Sequence, residues 1–151
     1  MKSRGMMLAF AAAGCLTTAA VEAAELDLSA YRGKVVYLDF WASWCGPCRQ
    51  SFPWLADLKS RNSSDDFVVV AVNVDHDRDS AQRFLNEVPA NFPIIYDPQG
   101  ELASSYHIKG MPSAVLIDRN GQVRFRHDGF SVKKEDQYEE HLRTLLAERH
   151  P

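Results

Sequence analysis

Two apolar runs, Val35-Val36-Tyr37-Leu38-Asp39-Phe40 and Phe67-Val68-Val69-Val70-Ala71-Val72-Asn73-Val74, constrain this chain more than any other feature. Both are rich in β-branched and aromatic residues, and neither alternates apolar with polar. A strand that is apolar on both sides must be covered on both faces, which is the condition of a central strand in a largely parallel sheet. Parallel neighbours need a crossover, usually a helix. The stretch between the runs supplies one: Phe52, Leu55 and Leu58 recur at helical spacing between about Cys48 and Arg61, and a polar loop follows at 62–66. An α/β domain is predicted.

The remaining segments extend the pattern. Asp77 to Val88 reads as a helix with Phe84, Leu85 and Val88 apolar, and Phe92-Pro93-Ile94-Ile95-Tyr96 as a short extended piece before a turn at Asp97-Pro98-Gln99-Gly100. Leu102 to Tyr106 fits a short helix and Ser113-Ala114-Val115-Leu116-Ile117 a third strand. Asp118-Arg119-Asn120-Gly121 is a hairpin signal, with Asn-Gly supplying positive φ, and Val123-Arg124-Phe125-Arg126 alternates as an edge strand should. Ser131 is expected to cap a last helix reaching about Arg149, with Tyr138, Leu142, Leu145 and Leu146 as its buried stripe. The expected architecture is a central mixed sheet with helices on both faces.

At 151 residues the chain suits one domain, and 46% hydrophobic with 25% charged residues is a globular composition. A net charge of −3 argues against a nucleic-acid partner. Residues 1–23 read as an export signal: Lys2 and Arg4, an uncharged run from Gly5 to Val21, then small residues at cleavage spacing before Ala24. The folded domain is then expected over 24–151. Ala12-Ala13-Gly14-Cys15 is similar to the box at which bacterial lipoproteins are cut and lipidated, although Ala12 stands where Leu is usual. Discard of Cys15 with the signal is the favoured reading, and a lipid anchor at Cys15 is the alternative. With Cys15 discarded, the mature chain keeps Cys45 and Cys48, in a compartment where disulfides persist.

The chemistry concentrates in Trp44-Cys45-Gly46-Pro47-Cys48-Arg49, at the end of a buried strand and the start of a helix. Unpaired N–H groups and the partial positive charge of a helix N-terminus stabilise a thiolate there. Cys45, on the exposed side of the turn, is the expected nucleophile, and Cys48, in the first helical turn, the resolving thiol. Pro47 fits a position whose N–H is not needed. A structural bridge between residues three apart closes too short a loop to constrain the unfolded chain much. A zinc site needs three or four protein ligands, and His76, His107, His127, His141 and His150 are scattered, so no metal site is expected. A redox role is favoured. Asp39 is a lone carboxylate in an apolar run, where burial should raise its pKa. The alternative is a partly wet Asp at a strand end.

Together these residues resemble the thioredoxin superfamily, and within it the exported TlpA/ResA-like thiol-disulfide oxidoreductases. The resemblance runs from about Leu26 to the C-terminus and rests on the stretch from Leu38 to Cys48, Pro53, Val72-Asn73-Val74-Asp75, the insertion-like stretch from Phe92 to Asp97 with Gly100, and Gly110-Met111-Pro112. It implies a thioredoxin fold and a cis peptide before Pro112. It also implies substrate binding by Trp44, Gly46, Pro47 and the backbone of Met111, and proton relay to the resolving thiol by Asp39. Trp41 and Trp44 are expected beside the site, with core packing an equal explanation for Trp41. The chain departs from the pattern in two places. Ala71 stands where thioredoxin has a Lys near its buried Asp, and Ser51 where many TlpA/ResA-like proteins carry Glu.

The implied activity is reduction of disulfides in exported, periplasmic client proteins by a monomer. No metal or organic cofactor is required, and a membrane electron donor of the DsbD type restores the dithiol. Apocytochrome c is one client class the resemblance implies, although Ser113 after Pro112 lacks the acidic character often seen in cytochrome-maturation specialists. A disulfide oxidase or isomerase is the nearest alternative. A non-enzymatic metallochaperone, with Met111 as the one extra ligand, is another.

Overall fold

The structure, a computed structural model, describes residues 28–62 and 64–148. The expected export signal and Cys15 lie outside them. A 3₁₀ turn at Leu28–Tyr31 leads into β1 (Val35–Trp41), α1 (Cys48–Arg61), β2 (Phe67–Asn73), α2 (Arg78–Glu87), β3 (Ile94–Tyr96), α3 (Glu101–Ser105), β4 (Ser113–Ile117), β5 (Val123–Asp128) and α4 (Glu135–Ala147).

The strands form one five-stranded sheet in the order β3-β2-β1-β4-β5. β1 runs parallel to β2 and β2 to β3, whereas β4 is antiparallel to both β1 and β5. This is the expected mixed sheet of a thioredoxin fold, with the two apolar runs at its centre. All seven residues of β1 are buried, because side chains from both faces of the strand enter a core. On one face Val35, Tyr37 and Trp41 pack with Phe52, Leu55 and Leu58 of α1, Phe84 of α2 and Leu142 of α4. On the other, Val36, Leu38 and Phe40 meet Leu102 and Ala103 of α3, with Tyr31, Tyr106 and Ile108 at the margin. Helices therefore cover both faces unequally: α1, α2 and α4 lie on the face that carries the cysteines.

Local chemistry sets the ends of the elements. The Asp77 side chain caps α2 by accepting from the Asp79 N–H at 3.1 Å. In the β4–β5 hairpin only Gly121 takes positive φ, at 82°, while Asp118 Oδ1 accepts from the N–H groups of Asn120 and Gln122. The expectation that Asn120 and Gly121 share the positive-φ turn is thus corrected. The carboxylate holds the turn and a register shift at Leu116/Ile117 absorbs the irregularity. Ser131 is also corrected: it precedes a short 3₁₀ turn, Val132–Lys134, makes no side-chain cap bond, and α4 begins at Glu135. The far end of α4 is closed by a side chain from another element. The Arg119 guanidinium donates to the carbonyl oxygens of Leu145, Leu146 and Glu148, groups that a helix end leaves without intrahelical partners.

Candidate active site

The end of β1 delivers the chain to the Cys45–Cys48 turn. Asp75, buried just beyond β2, fixes this segment: its carboxylate accepts from the Ser43 N–H and hydroxyl, each at 2.9 Å, and from the Asn73 amide at 2.8 Å. The turn then winds directly into α1. The Cys45 N–H donates to Ala42 O, and the Cys48 N–H donates back to Cys45 O at 3.2 Å. Pro47 holds helical angles of φ −62° and ψ −22° one residue before α1 starts at Cys48. Proline's fixed φ is pre-organised for that place.

Cys45 and Cys48 form a disulfide with an S–S distance of 2.08 Å. The expectation of an exposed Cys45 needs correction, since Cys45 is 3% exposed and Cys48 fully buried. The exposed rim belongs to Trp44, 70% exposed, with Gly46 and Pro47 beside it. The Trp44 indole, left in water beside the disulfide, is not part of the core packing. Trp41 does the opposite: it is wholly buried, with ring centroids 4.8 Å from Phe52 and 4.7 Å from Phe84, so core packing accounts for it.

Met111–Pro112 is a cis peptide. Met111 is half-buried and packs against the core cluster that includes both cysteines. Pro112 lines a small cavity that it shares with Asp39, Ser51, Tyr37, His127 and Tyr138.

Asp39 lies on the same face of β1 as Tyr37 and Trp41 and is 3% exposed. Burial alone raises its pKa well above that of an ordinary carboxyl. Its Oδ2 is buried without a protein hydrogen-bond partner. Asp39 is therefore the buried carboxyl that its place in an apolar run predicts, facing a cavity, and the alternative of a partly wet strand-end Asp does not hold. Ala71, opposite Asp39 on β2, offers no charge to compensate it. Ser51, one turn after Cys48, faces the same cavity and donates its hydroxyl to Cys48 O at 3.2 Å. Ala71 and Ser51, the two departures noted in the sequence, thus both lie around one buried carboxyl.

Sequence reasoning missed His127. It is buried on β5, accepts or donates at Nδ1 to the Tyr37 hydroxyl at 3.2 Å, and meets His141 Nδ1 through Nε2 at 2.9 Å. Burial first, then the neighbouring His141, lower its pKa to about 4. The alternation Val123, Phe125, His127 was the available signal, because it places His127 on the inward face of the edge strand.

Comparison with known proteins agrees with this geometry. The Redoxin family matches residues 5–142. The thiol-disulfide oxidoreductase ResA of Geobacillus kaustophilus is 36% identical over 121 residues, 80% of this chain and 68% of that protein. ResA of Geobacillus thermodenitrificans is 33% identical over 125 residues, covering 83% and 71%. Among solved structures, a Chlorobium tepidum protein assigned as the thiol:disulfide interchange protein DsbE superposes with a TM-score of 0.77 at 48% identity, over 80% of this chain and 85% of that one. With a Cys45–Cys48 disulfide at the head of α1 on this sheet topology, the chain belongs to the Redoxin family as a ResA-like, thioredoxin-fold thiol-disulfide oxidoreductase.

Proposed function

We propose that this oxidoreductase works as a reductase of disulfides in exported proteins, with Cys45 as nucleophile, Cys48 as resolving thiol and Asp39 as the acid–base group. The observation that carries the reading is the Gly46-Pro47 pair between cysteines that open α1, above a buried and uncompensated Asp39. Because the positive end of the α1 dipole favours a thiolate at its head, the reduced pair attacks well at neutral pH.

The Cys45 thiolate attacks one sulfur of the client disulfide. The other client sulfur leaves as a thiolate and takes a proton from solvent. Cys48 then gives its proton to the Asp39 carboxylate and attacks Cys45 Sγ, and the second client sulfur departs. Two electrons have passed from the pair to the client, and Cys45–Cys48 is a disulfide again. Burial lifts the proton affinity of Asp39 toward that of a thiol, which suits it to exchange a proton with Cys48. Trp44, Gly46 and Pro47 form the exposed face on which a client peptide lies, with the Met111 backbone as its edge. The chemistry needs no metal or organic cofactor. A membrane dithiol donor of the DsbD type returns the electrons, and the leader at 1–23 takes the monomeric protein to the periplasm, with lipidation at Cys15 as the alternative retention signal.

The direction is tested with two substrates in glutathione buffer. The protein should accelerate reduction of insulin disulfides by dithiothreitol, and should oxidise a reduced unfolded polypeptide no faster than buffer does. Fast oxidation with no insulin reduction would reverse the assignment.

A further inference from the structure

The row of side chains at the level of Asp39 continues across the sheet. Asp39 pairs with Ala71 on one side and Ala114 on the other, and Ala114 pairs with His127. Directly paired residues point to the same face, so Asp39 and His127 face one core from strands two spacings, about 10 Å, apart. Ala114 between them is too small to fill that distance. The space left is the cavity of about 10 Å³ that both residues line, enough for the centre of one water and furnished with the polar partners a water needs. From His127 the polar chain runs on through Nε2 to His141 on α4, whose ring is only half-buried.

We infer that Tyr37, His127 and His141 form the route by which protons pass between Asp39 and solvent, with a cavity water as the first link. The inference rests on the reading of Asp39 as the acid–base group. Each link has the capacity it needs. The Tyr37 hydroxyl donates to His127 Nδ1 while accepting from the water, and His127 Nε2–H donates to His141 Nδ1. When Asp39 releases a proton to the water, the water passes one to Tyr37, Tyr37 one to His127 Nδ1, and His127 its Nε2 proton to His141. His141 releases one proton to solvent, so one proton has left, Asp39 ends as a carboxylate, and the water, Tyr37, His127 and His141 end neutral. The reverse pass reloads Asp39 and restores the starting tautomer.

The groups facing His127 suit this use. Tyr37 and Asp39 come from β1, Tyr138 and His141 from α4, Asp128 from its own strand and Lys134 from the turn before α4. Lys134 and His141 disfavour a cation at His127, and Asp128 favours one more weakly than burial opposes it. The ring is therefore neutral at physiological pH and can accept at one nitrogen while donating at the other. In this chain the β5 side supplies the polar group that Ala71 does not supply on the β2 side. His127 and His141 act through Asp39, so they are positioning residues rather than catalytic ones.

The test reads the proton directly. Oxidised protein is moved rapidly into D₂O, and the carboxylic-acid C=O stretch of Asp39, identified by its absence in Asp39→Asn, is followed by infrared spectroscopy. His127→Gln keeps a donor and an acceptor but cannot take a proton at one atom and release it at another. It should slow the deuteration of Asp39 by at least about tenfold. His141→Ala, at the half-buried end of the route, should slow it too without disturbing the core. A structural weakening moves the other way, because opening the core speeds exchange. Unchanged or faster exchange in both variants overturns the route while leaving the acid–base role of Asp39 intact. If instead Asp39→Asn turns over as fast as wild type, the role itself fails and the route loses its purpose.

Discussion

Replacement of Cys48 by Ala should stop turnover at the mixed disulfide. Cys45 would still attack a client, but nothing would release it, so a covalent Cys45–client species should accumulate with one equivalent of client thiol set free. Turnover in insulin reduction should fall by about 10³-fold or more, the scale expected when one member of a unit of reacting residues is removed. Cys45→Ala should be equally inactive but form no adduct, since Cys48 is wholly buried beneath the turn. Non-reducing electrophoresis and intact mass of the two variants, mixed with a disulfide peptide, would show this. Adducts on Cys48 in Cys45→Ala would mean that the assignment of attacker and resolver is inverted. The structure makes that a real question, because Cys45 is itself only 3% exposed in the oxidised state. Its access depends on the rim of Trp44, Gly46 and Pro47, not on an open sulfur.

Asp39→Asn should separate activity from stability. The folded protein binds the Asp39 proton more tightly than the unfolded chain does, because burial opposes the carboxylate. Between the unfolded pKa of about 3.9 and the raised folded value, the folded state therefore holds more protons. Stability from this group is intact below about pH 3.9 and is lost as pH rises toward and through the folded value, at up to about 1.4 kcal/mol per pH unit. Asn carries no such loss. Urea unfolding of the oxidised proteins across pH 4–9 should give curves that diverge with rising pH, the variant being the more stable at the alkaline end. Turnover should move oppositely and fall by about 10²-fold, in line with loss of an acid–base group. Parallel stability curves would show that Asp39 is already charged in the fold.

Much of this was legible in the sequence, for identifiable reasons. The runs at Val35 and Phe67 have a composition that only a doubly covered strand tolerates, so the centre of the sheet followed from them. The Cys pair was legible because it falls where a strand meets a helix, and Asp39 because a carboxyl interrupts an apolar run. The ends of α1 and α2 came within a residue, since Asp77 and Pro47 carry their own local signals. What was not legible depends on register between distant segments. His127 looked like one of five scattered histidines until β5 paired with β4 and set it level with Asp39. The burial of Trp41 depends on Phe52 and Phe84 from two different helices. Ser131 failed as a cap because the chain tightens through a 3₁₀ turn first, and Arg119 caps the end of α4 from outside that helix. None of these is a property of a local window of sequence.

The departures at Ala71 and Ser51 also take on meaning in the structure. Neither supplies a charge beside the buried carboxyl: Ala71 lies opposite Asp39 on β2, and Ser51 lines the same cavity as Asp39. Asp39 is left with its Oδ2 unpaired by protein, facing a cavity whose other polar lining residues are Tyr37, Ser51, Ser113, His127 and Tyr138. The polar surroundings of this carboxyl within the cavity therefore come from α1, β1, β4, β5 and α4 and not from β2.

The central claim is that the pair gives electrons to its clients, and the reduction potential of Cys45–Cys48 tests it most directly. Equilibration against a glutathione or dithiothreitol series, read by tryptophan fluorescence or thiol trapping, would supply it. The account predicts a value near the thioredoxin end of the scale, about −270 mV. A value near about −120 mV, some 7 kcal/mol more oxidising, would contradict it and make the protein a donor of disulfides.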